Sequence, residues 1–215
     1  MQLVFFDLDG TITRRDTLVP YVTSLLLRRP WRLPRLLGLL PAVLRFATGA
    51  ADHGELKGQL LRYALGGLPR RVIDAHTARF VPRLLANGLF ADARRAIDAH
   101  RSQQDHLVLM SASVDLYVPA IGAALGFSET ICSKVRWQGE RLLGTLASAN
   151  VRDQEKLLQV RRLRQRFPDA RVIAYGNSAP DLAHLDSVDQ GWCVNASGKL
   201  KAECDRRGIA VIDWR

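Results

Sequence analysis

Short apolar runs alternate with segments of helical spacing along much of this chain. Five runs have the length and composition of buried strands: residues 2–6, 106–110, 171–175, 191–194 and 209–212. Three other segments carry apolar residues at helical spacing: residues 91–101, 114–125 and 153–166. Strands that alternate with helices in this way favour a parallel sheet. The pattern therefore predicts an α/β fold with a Rossmann-like parallel sheet and helices on both faces.

Residues 14–85 interrupt this alternation, because their apolar residues have helical spacing throughout. Helix-ending signals recur inside the segment, at Pro30, Pro34, 49–54 and 66–69. We therefore predict an all-helical cap over residues 14–85, inserted after the first strand of a core that comprises residues 1–13 and 86–215. Further along the chain, a β-hairpin is predicted within residues 130–147, with strands at 133–137 and 141–146.

The basic residues are concentrated in this predicted cap. The 215 residues are 47% hydrophobic and 24% charged, which is ordinary for a globular protein and excludes wholesale disorder. Lys and Arg number 31 against 21 Asp and Glu, a formal net charge of +10. Residues 14–85 hold 13 of the basic and 4 of the acidic residues, so this segment carries +9 and the rest of the chain +1. Such basicity favours acidic partners: phosphorylated small molecules, an anionic membrane surface or nucleic acid.

Two features of the sequence bear on the cellular compartment. The N-terminus lacks the basic stretch and cleavage site of a secretory signal, and the longest apolar run, residues 36–44, is about half of the ~20 residues that span a bilayer. The three cysteines form no Cys-x-x-Cys pair, which favours a reducing environment. We expect a cytoplasmic protein, and peripheral contact with the inner face of the membrane is left open.

The first group of chemically useful residues is Asp7-Leu8-Asp9-Gly10-Thr11, directly after the first predicted strand. Where the backbone turns, two carboxylates at this spacing can serve one centre. Asp7 is then placed to attack phosphorus as a nucleophile, and Asp9 to protonate the leaving oxygen and later activate water. Gly10 permits close approach of a phosphate. The alternative is a solvated loop or a helix cap without catalytic chemistry.

Two further candidates for holding phosphoryl oxygens lie later in the chain. Ser111 follows the second predicted strand, where its hydroxyl and the amide of Ala112 can bind a phosphoryl group. Capping of the next predicted helix is the alternative for Ser111, with Ser113 as a second candidate for that cap. Lys156 lies near the start of the third predicted helix and can stabilise a phosphoryl group during transfer. A solvated lysine is the alternative there.

The fourth element is Gly176-Asn177-Ser178-Ala179-Pro180-Asp181, after the third predicted strand. Amide and carboxylate oxygens at this place can complete a magnesium shell together with Asp7. A pair of polar helix caps is the alternative. If all four elements meet at one edge of the sheet, they form a site for phosphoryl chemistry.

Together, the four elements resemble the motifs of the haloacid dehalogenase superfamily of phosphohydrolases. Asp-x-Asp-Gly-Thr, Ser, Lys and a final Gly-Asn-x-x-x-Asp occur in the order of that superfamily. The resemblance covers the whole chain, since the predicted cap lies between the first and second motifs and the hairpin precedes the lysine. The arrangement is similar to the phosphoserine phosphatase branch, and especially to phosphatidylglycerophosphatase C-type hydrolases.

The resemblance implies a magnesium-dependent phosphomonoester hydrolase that works through an aspartyl-phosphate intermediate. Asp7 is implied to be the nucleophile, and Asp9 the acid and base. The resemblance further implies that phosphoryl oxygens are held by Thr11, Ser111, Ala112 and Lys156. It implies that the cofactor Mg²⁺ is held by Asp7, the main-chain carbonyl of Asp9, Asn177 and Asp181.

Two positions depart from the pattern of the family. Asn177 occupies a place where the superfamily usually has a metal-binding Asp, so the site loses one negative charge. We therefore expect weaker Mg²⁺ binding and not the loss of the site. Asp16 falls where phosphoserine phosphatases have a substrate-reading Glu near the start of the cap. It is a candidate substrate-binding residue, and its shorter side chain argues against phosphoserine.

The substrate itself is left open by the sequence. Residues 24–48 combine Leu-rich segments and Trp31 with five arginines, which is typical of a membrane-surface element and suggests a phosphorylated glycerolipid head group as substrate. A cap packed on its own leucines, with a soluble phosphomonoester such as phosphoserine or a sugar phosphate as substrate, is the alternative. A degenerate, non-catalytic phosphate binder is a third hypothesis. Nucleic acid is not an expected partner, because the chain lacks a helix-turn-helix or an aromatic platform.

Overall fold

The apolar runs form a parallel sheet in the computed structural model, which describes residues 1–215. The chain contains eight strands: β1 (Gln2–Phe6), β2 (His106–Val114), β3 (Glu129–Ser133), β4 (Val135–Gln138), β5 (Arg141–Leu146), β6 (Arg171–Gly176), β7 (Gln190–Val194) and β8 (Ala210–Ile212). Six of them form one sheet in the order β3-β2-β1-β6-β7-β8, and all neighbours in it are parallel. β4 and β5 form a separate antiparallel pair. The predicted Rossmann-like α/β fold is confirmed.

Helices fill the connections between the strands. Those between β1 and β2 are α1 (Leu18–Leu27), α2 (Leu40–Ala47), α3 (His53–Leu65), α4 (Arg70–Asn87) and α5 (Ala91–Ser102), with a 3₁₀ helix at Pro30–Leu39. Those that follow later strands are α6 (Val118–Leu125), α7 (Gln154–Arg166), α8 (Leu182–Leu185) and α9 (Gly198–Arg207), with a short 3₁₀ helix at Ala179–Asp181. Every helix of the chain is too short or too polar to cross a bilayer.

Both faces of the sheet are buried, which explains why its strands are continuous apolar runs. Successive side chains of β1 point to opposite faces. Val4 and Phe6 belong to a core of 31 buried residues, and Leu3 and Phe5 to a second core of 15. The larger core includes residues of α1, α3 and α4, so the helices after β1 share one core with the sheet. The smaller core lies under α7, α8 and α9.

The hairpin of β4 and β5 packs against α3. Gly144 of β5 has φ +83°, and a Cβ on this residue would collide with the backbone of Arg62. The strand and the helix therefore approach this closely only because the residue is glycine. At the far end of the hairpin, the Arg70 guanidinium lies 4.0 Å from the centroid of the Trp137 ring. The hairpin thus packs against α3 and the start of α4.

The helix predicted at 114–125 is wrong at its start. It begins at Val118, because β2 continues to Val114 and pairs there with β3. Ser111 and Ser113 are therefore strand residues, and neither caps a helix. The strand signal was hidden because the small polar residues Ser111 and Ser113 interrupt the apolar run at the end of β2.

Two smaller differences concern breaks in regular structure. Pro34 was predicted to end a helix, but it lies inside the 3₁₀ helix. Proline lacks the N–H that an α-helix interior needs, and this stretch takes the tighter 3₁₀ form instead. The first hairpin strand, predicted at 133–137, is β4 at Val135–Gln138, because residues up to Ser133 extend the main sheet as β3.

Candidate active site

The residues singled out in the sequence meet at one edge of the sheet. β1 lies between β2 and β6, where the strand order reverses, and the carboxyl ends of parallel strands form a crevice at such a point. Asp7 follows β1, Ser111 lies in the second half of β2, and Asn177 follows β6. The topology therefore brings together motifs that are far apart in the chain.

Lys156, from α7, lies at the centre of this site. Its Nζ donates to Oδ1 of Asp7 over 2.6 Å and to Oδ1 of Asp181 over 2.7 Å. All three residues are nearly inaccessible, with 3% of Lys156, 8% of Asp7 and 1% of Asp181 exposed. A buried charge is costly unless it is paired and hydrogen-bonded. The ammonium and the two carboxylates are therefore stable only together.

The three groups differ in proton affinity. Burial, with the nearby Asp181 and Asp9 carboxylates, raises the pKa of Asp7 to about 7 against the attraction of Lys156. Burial acts in the same direction on Asp181, but Lys156 and His184 outweigh it and hold the pKa of Asp181 well below its usual value. Burial lowers the pKa of Lys156, but the two carboxylates prevail and raise it. Lys156 and Asp181 are thus a fixed ion pair, and Asp7 is the group whose charge is adjustable.

Asp9 is held at both carboxylate oxygens. Its Oδ1 accepts hydrogen bonds from the amide of Thr17 over 2.7 Å and from the Thr17 hydroxyl over 2.6 Å. Its Oδ2 accepts from the hydroxyl of Ser113 over 2.7 Å. Burial raises the pKa of Asp9, although the bonds from Ser113 and Thr17 oppose this. A carboxyl group fixed in direction, with a raised pKa, suits a general acid.

A cavity of about 290 Å³ adjoins the cluster. Predicted site residues line part of its wall: Asp7, Asp9, Asp16, Ala112, Lys156 and Asp181. Residues that were not predicted as site residues line another part: His53, Lys57, Ser113, Asn150 and Arg152. The structure thus joins residues of the sheet edge to residues of α3 around one space.

Thr11 and Ser111 are fully buried and are not part of the cavity wall. The hydroxyl of Thr11 donates to Oδ2 of Asp7 over 3.1 Å. The hydroxyl oxygen of Ser111 accepts from the amide of Ser113 over 3.0 Å. The Thr11 hydroxyl therefore fixes the Asp7 carboxylate, and the Ser111 hydroxyl fixes the backbone at Ser113. Asp7 and Ser113 both line the cavity.

Asn177 also lies outside the cavity wall and packs against the first motif. A Cβ on Gly10 would collide with the side-chain amide of Asn177, and Gly10 has φ +82°. Only glycine allows both the turn and this close approach. The main-chain amide of Asn177 donates to Oδ2 of Asp181 over 3.2 Å. Asn177 thus connects the loops of the first and fourth motifs.

The oxygens around the cluster fit Mg²⁺ by their chemistry. This ion takes hard oxygen ligands and is usually held by one or two carboxylates, with water and substrate phosphate completing the shell. Asp7 and Asp181 supply carboxylates, Asn177 an amide oxygen and Asp9 a main-chain carbonyl. No group of three or more His, Cys, Asp or Glu side chains stands at metal-binding spacing. The donor set suits Mg²⁺ in kind, with one carboxylate fewer because of Asn177.

Sequence reasoning missed Lys57, which extends from α3 into the cavity. Its Nζ donates to the main-chain carbonyl of Ala112 and, over 2.7 Å, to Oδ1 of Asn150. Burial lowers the pKa of Lys57 to about 8, and Asp9 opposes this shift. The one signal in the sequence is that Lys57 is the single lysine among the 13 basic residues of residues 14–85.

Residues 4–186 match the haloacid dehalogenase-like hydrolase family, which is most of the chain. The chain belongs to this family. The resemblance to this superfamily seen in the four motifs is therefore confirmed, and with it the prediction of a hydrolase.

Individual relatives agree with this assignment. Protein CicA of Caulobacter vibrioides is 31% identical over 196 residues, which cover 87% of this chain and 83% of the relative. A protein of unknown function from Bordetella pertussis has the same fold at a TM-score of 0.79, with 21% identity over 99% of this chain and 98% of its own. A probable phosphoserine phosphatase from Vibrio cholerae matches at a TM-score of 0.72, with 13% identity over 98% of this chain and 60% of its own.

Lys57 should bind an anionic substrate only while it carries a proton. Because its pKa is lowered to about 8, the ammonium is present at neutral pH and is lost as the pH rises through that value. The KM of the wild type for p-nitrophenyl phosphate should then rise by roughly tenfold on the alkaline side. In Lys57→Arg, which stays charged, the KM should remain flat in steady-state kinetics. An equally steep rise in this variant would assign the effect to another group.

Proposed function

We propose that this chain hydrolyses phosphomonoesters with Mg²⁺ through an aspartyl-phosphate on Asp7. The observation that supports this most directly is the buried Asp7 carboxylate, hydrogen-bonded to the buried ammonium of Lys156 at the carboxyl edge of a parallel sheet. Asp9, two residues on, has a pKa raised by burial. In this proposal residues 14–85 act as a cap over a core of residues 1–13 and 86–215.

The proposed reaction has two steps. In the first, a carboxylate oxygen of Asp7 attacks phosphorus, the bond from phosphorus to the leaving oxygen breaks, and Asp9 donates its proton to that oxygen. In the second, the ionised Asp9 takes a proton from water as the water oxygen attacks phosphorus. The bond from phosphorus to Asp7 then breaks, which releases phosphate and restores both side chains. Thr17 and Ser113 fix the direction of the Asp9 carboxyl group in both steps.

Charge stabilisation is proposed to supply most of the remaining rate. Lys156 provides a cation in a site that is shielded from water. The amide of Ala112, whose residue lines the cavity, is a proposed donor to phosphoryl oxygens. The family resemblance adds Thr11 and Ser111, whose side chains are buried behind the cavity wall in this structure. Mg²⁺, held by Asp7, the carbonyl of Asp9, Asn177 and Asp181, supplies a positive charge next to the phosphoryl group when it is bound.

The favoured substrate is a phosphorylated glycerolipid head group at an anionic membrane. Five large apolar side chains from the end of α1 to α2 are more than half exposed: Leu27, Trp31, Leu37, Leu40 and Leu44, here called the apolar face. Exposed apolar clusters of this kind mark contact sites for proteins or membranes. Trp and Leu beside arginines, such as Arg28 and Arg29, suit the head-group region of an anionic leaflet.

Not every arginine of this segment is free for such contact. Arg32 is 9% exposed and donates to the carbonyls of Ala64 and Gly66 over 2.9 and 2.6 Å. Arg45 pairs with Glu55 over 2.6 Å. The electrostatic contribution to membrane binding is therefore smaller than the count of five arginines suggests. Burial of the apolar face is proposed to supply more of the binding free energy.

A soluble phosphomonoester is the second candidate, because the cavity itself is polar. Asp16, His53, Lys57 and Arg152 line it beside the catalytic carboxylates. Side chains of these types can hydrogen-bond a small polar alcohol such as that of phosphoserine or a sugar phosphate. In this case the cap selects the substrate without contacting a membrane.

Phosphate release by the wild type and Asp7→Asn tests the catalytic proposal. The panel contains p-nitrophenyl phosphate, phosphoserine, sugar phosphates and micellar phosphatidylglycerophosphate, each with and without Mg²⁺. We expect Mg²⁺-dependent turnover that falls by roughly a thousandfold or more in Asp7→Asn, because the nucleophile is removed. The substrate that releases phosphate fastest decides between the lipid hypothesis and the soluble hypothesis. Turnover that survives in Asp7→Asn would contradict the mechanism, and the absence of turnover on every substrate would favour a non-catalytic phosphate binder.

Asn177→Asp tests the expected weakness of Mg²⁺ binding. The substitution places a negative charge in the loop of the fourth motif, next to Gly10, at nearly unchanged volume. The Mg²⁺ concentration that gives half-maximal activity should fall by roughly tenfold. Asn177→Ala, which removes the amide oxygen, should raise it. An Mg²⁺ requirement that is the same in Asn177→Asp and the wild type would exclude this position from metal binding.

Co-sedimentation with liposomes tests the apolar face. The wild type should bind vesicles that contain anionic lipid and bind neutral vesicles less well. Trp31→Ser combined with Leu37→Ser should abolish binding, since both exposed side chains that enter the leaflet are lost. The control replaces Leu143 and Leu158, which are also exposed but lie elsewhere, and should bind normally. Equal recovery of all three proteins would contradict membrane contact through this face.

A further inference from the structure

A second cavity, of about 500 Å³, lies on the other side of Asp16 and Thr17 from the catalytic one. It runs between the start of α1 and the second half of α4. Five arginines line it, and we call it the arginine groove: Arg14, Arg15, Arg28, Arg79 and Arg83. A volume of this size accommodates a small-molecule ligand.

The positive charge of the arginine groove is not neutralised from within the chain. Asp16 is the one acidic residue in its wall. None of the five arginines forms a salt bridge, whereas Arg45, Arg95, Arg164 and Arg207 elsewhere in the chain do. All five arginines are exposed, so solvent and salt weaken their mutual repulsion, and an anion bound among them would neutralise the charge that remains.

The excess of positive charge also affects the proton affinity of a buried histidine that lines the arginine groove. His76 is 6% exposed, and its Nε2 lies 3.0 Å from the carbonyl oxygen of Tyr21 and 3.2 Å from the hydroxyl of Ser24. Burial, together with Arg28 and Arg79, lowers the pKa of His76, although the bond to Tyr21 opposes this. At neutral pH the imidazole is therefore an uncharged member of the wall, and the arginines carry the charge.

The arginine groove continues toward the apolar face. An adjoining cavity of about 530 Å³ shares Arg28, His76 and Arg79 with it and adds Arg29, Trp31 and Arg71. The two cavities form a cationic track from Asp16 to the exposed Trp31. A compact single phosphate would occupy only part of this length, so the geometry favours a ligand with several negative charges.

We propose that the arginine groove is a second anion-binding site, separate from the catalytic cavity, for a ligand that carries two or more phosphate groups. Guanidinium groups bind phosphate oxygens through paired hydrogen bonds. A soluble polyphosphate compound and a polyanionic lipid head group share this chemistry. The site adjoins Thr17, whose amide and hydroxyl hold Asp9, so an occupant of the groove would contact the residue that orients the proposed catalytic acid.

Isothermal titration calorimetry with EDTA and without Mg²⁺ tests this site independently of turnover. The first probe is tripolyphosphate, and the second is a water-soluble short-chain lipid with a bisphosphorylated head group. Arg79→Gln/Arg83→Gln removes two groove charges. Arg94→Gln/Arg161→Gln is the matched control, because both residues are exposed, outside the groove and without salt bridges, and the same net charge is lost.

At least one probe should bind the wild type, and its Kd should rise by roughly tenfold or more in the groove variant but by less than about threefold in the control. The probe that shows this dependence identifies the source of the ligand as soluble or lipid. Both variants should have the same midpoint temperature of thermal unfolding as the wild type, which verifies that they are folded. Three results would overturn the proposal: no binding of either probe, equal losses in the two variants, or full binding by the groove variant, which would place the anion elsewhere.

Discussion

The buried ammonium of Lys156 between two buried carboxylates is the interaction on which the rest of the structure depends. Each of these charges alone would be strongly destabilising in the interior. They come from the end of β1, from α7 and from the segment after β6. The parallel order of the strands, the hairpin before α7 and the close approach at Gly10 all serve to bring these three places together. Removing the lysine leaves two buried carboxylates without a cation, so the site and the fold are coupled.

The sequence was most informative where one physical requirement dominated. Strands buried on both faces must be apolar, so β1, β6 and β7 were visible as runs, and the motif residues were visible because they follow such strands directly. The end of β2 was predicted as a polar segment that caps the next helix, because Ser111 and Ser113 break the apolar pattern. Lys57 and the arginine groove could not be predicted, because their positions are set by packing of α3 and α4 against distant elements, and no local spacing encodes that.

The helical segment divides its basic residues among different tasks. Arg32 is buried and satisfies carbonyl groups at the end of α3, and Arg45 is paired with Glu55. Lys57 faces the catalytic cavity, and a separate set converges on the arginine groove. The net charge of +9 on residues 14–85 is therefore divided among positions with different surroundings.

The central claim is that Asp7 becomes covalently phosphorylated, and trapping that species tests it most directly. The enzyme is mixed with Mg²⁺ and the best substrate of the panel, quenched in acid within the first turnover, digested and analysed by mass spectrometry. We predict one phosphate on the peptide that contains Asp7, at the Asp7 carboxylate, and none in Asp7→Asn. Phosphate on any other residue, or rapid turnover with Asp7 unmodified at every quench time, would contradict the account.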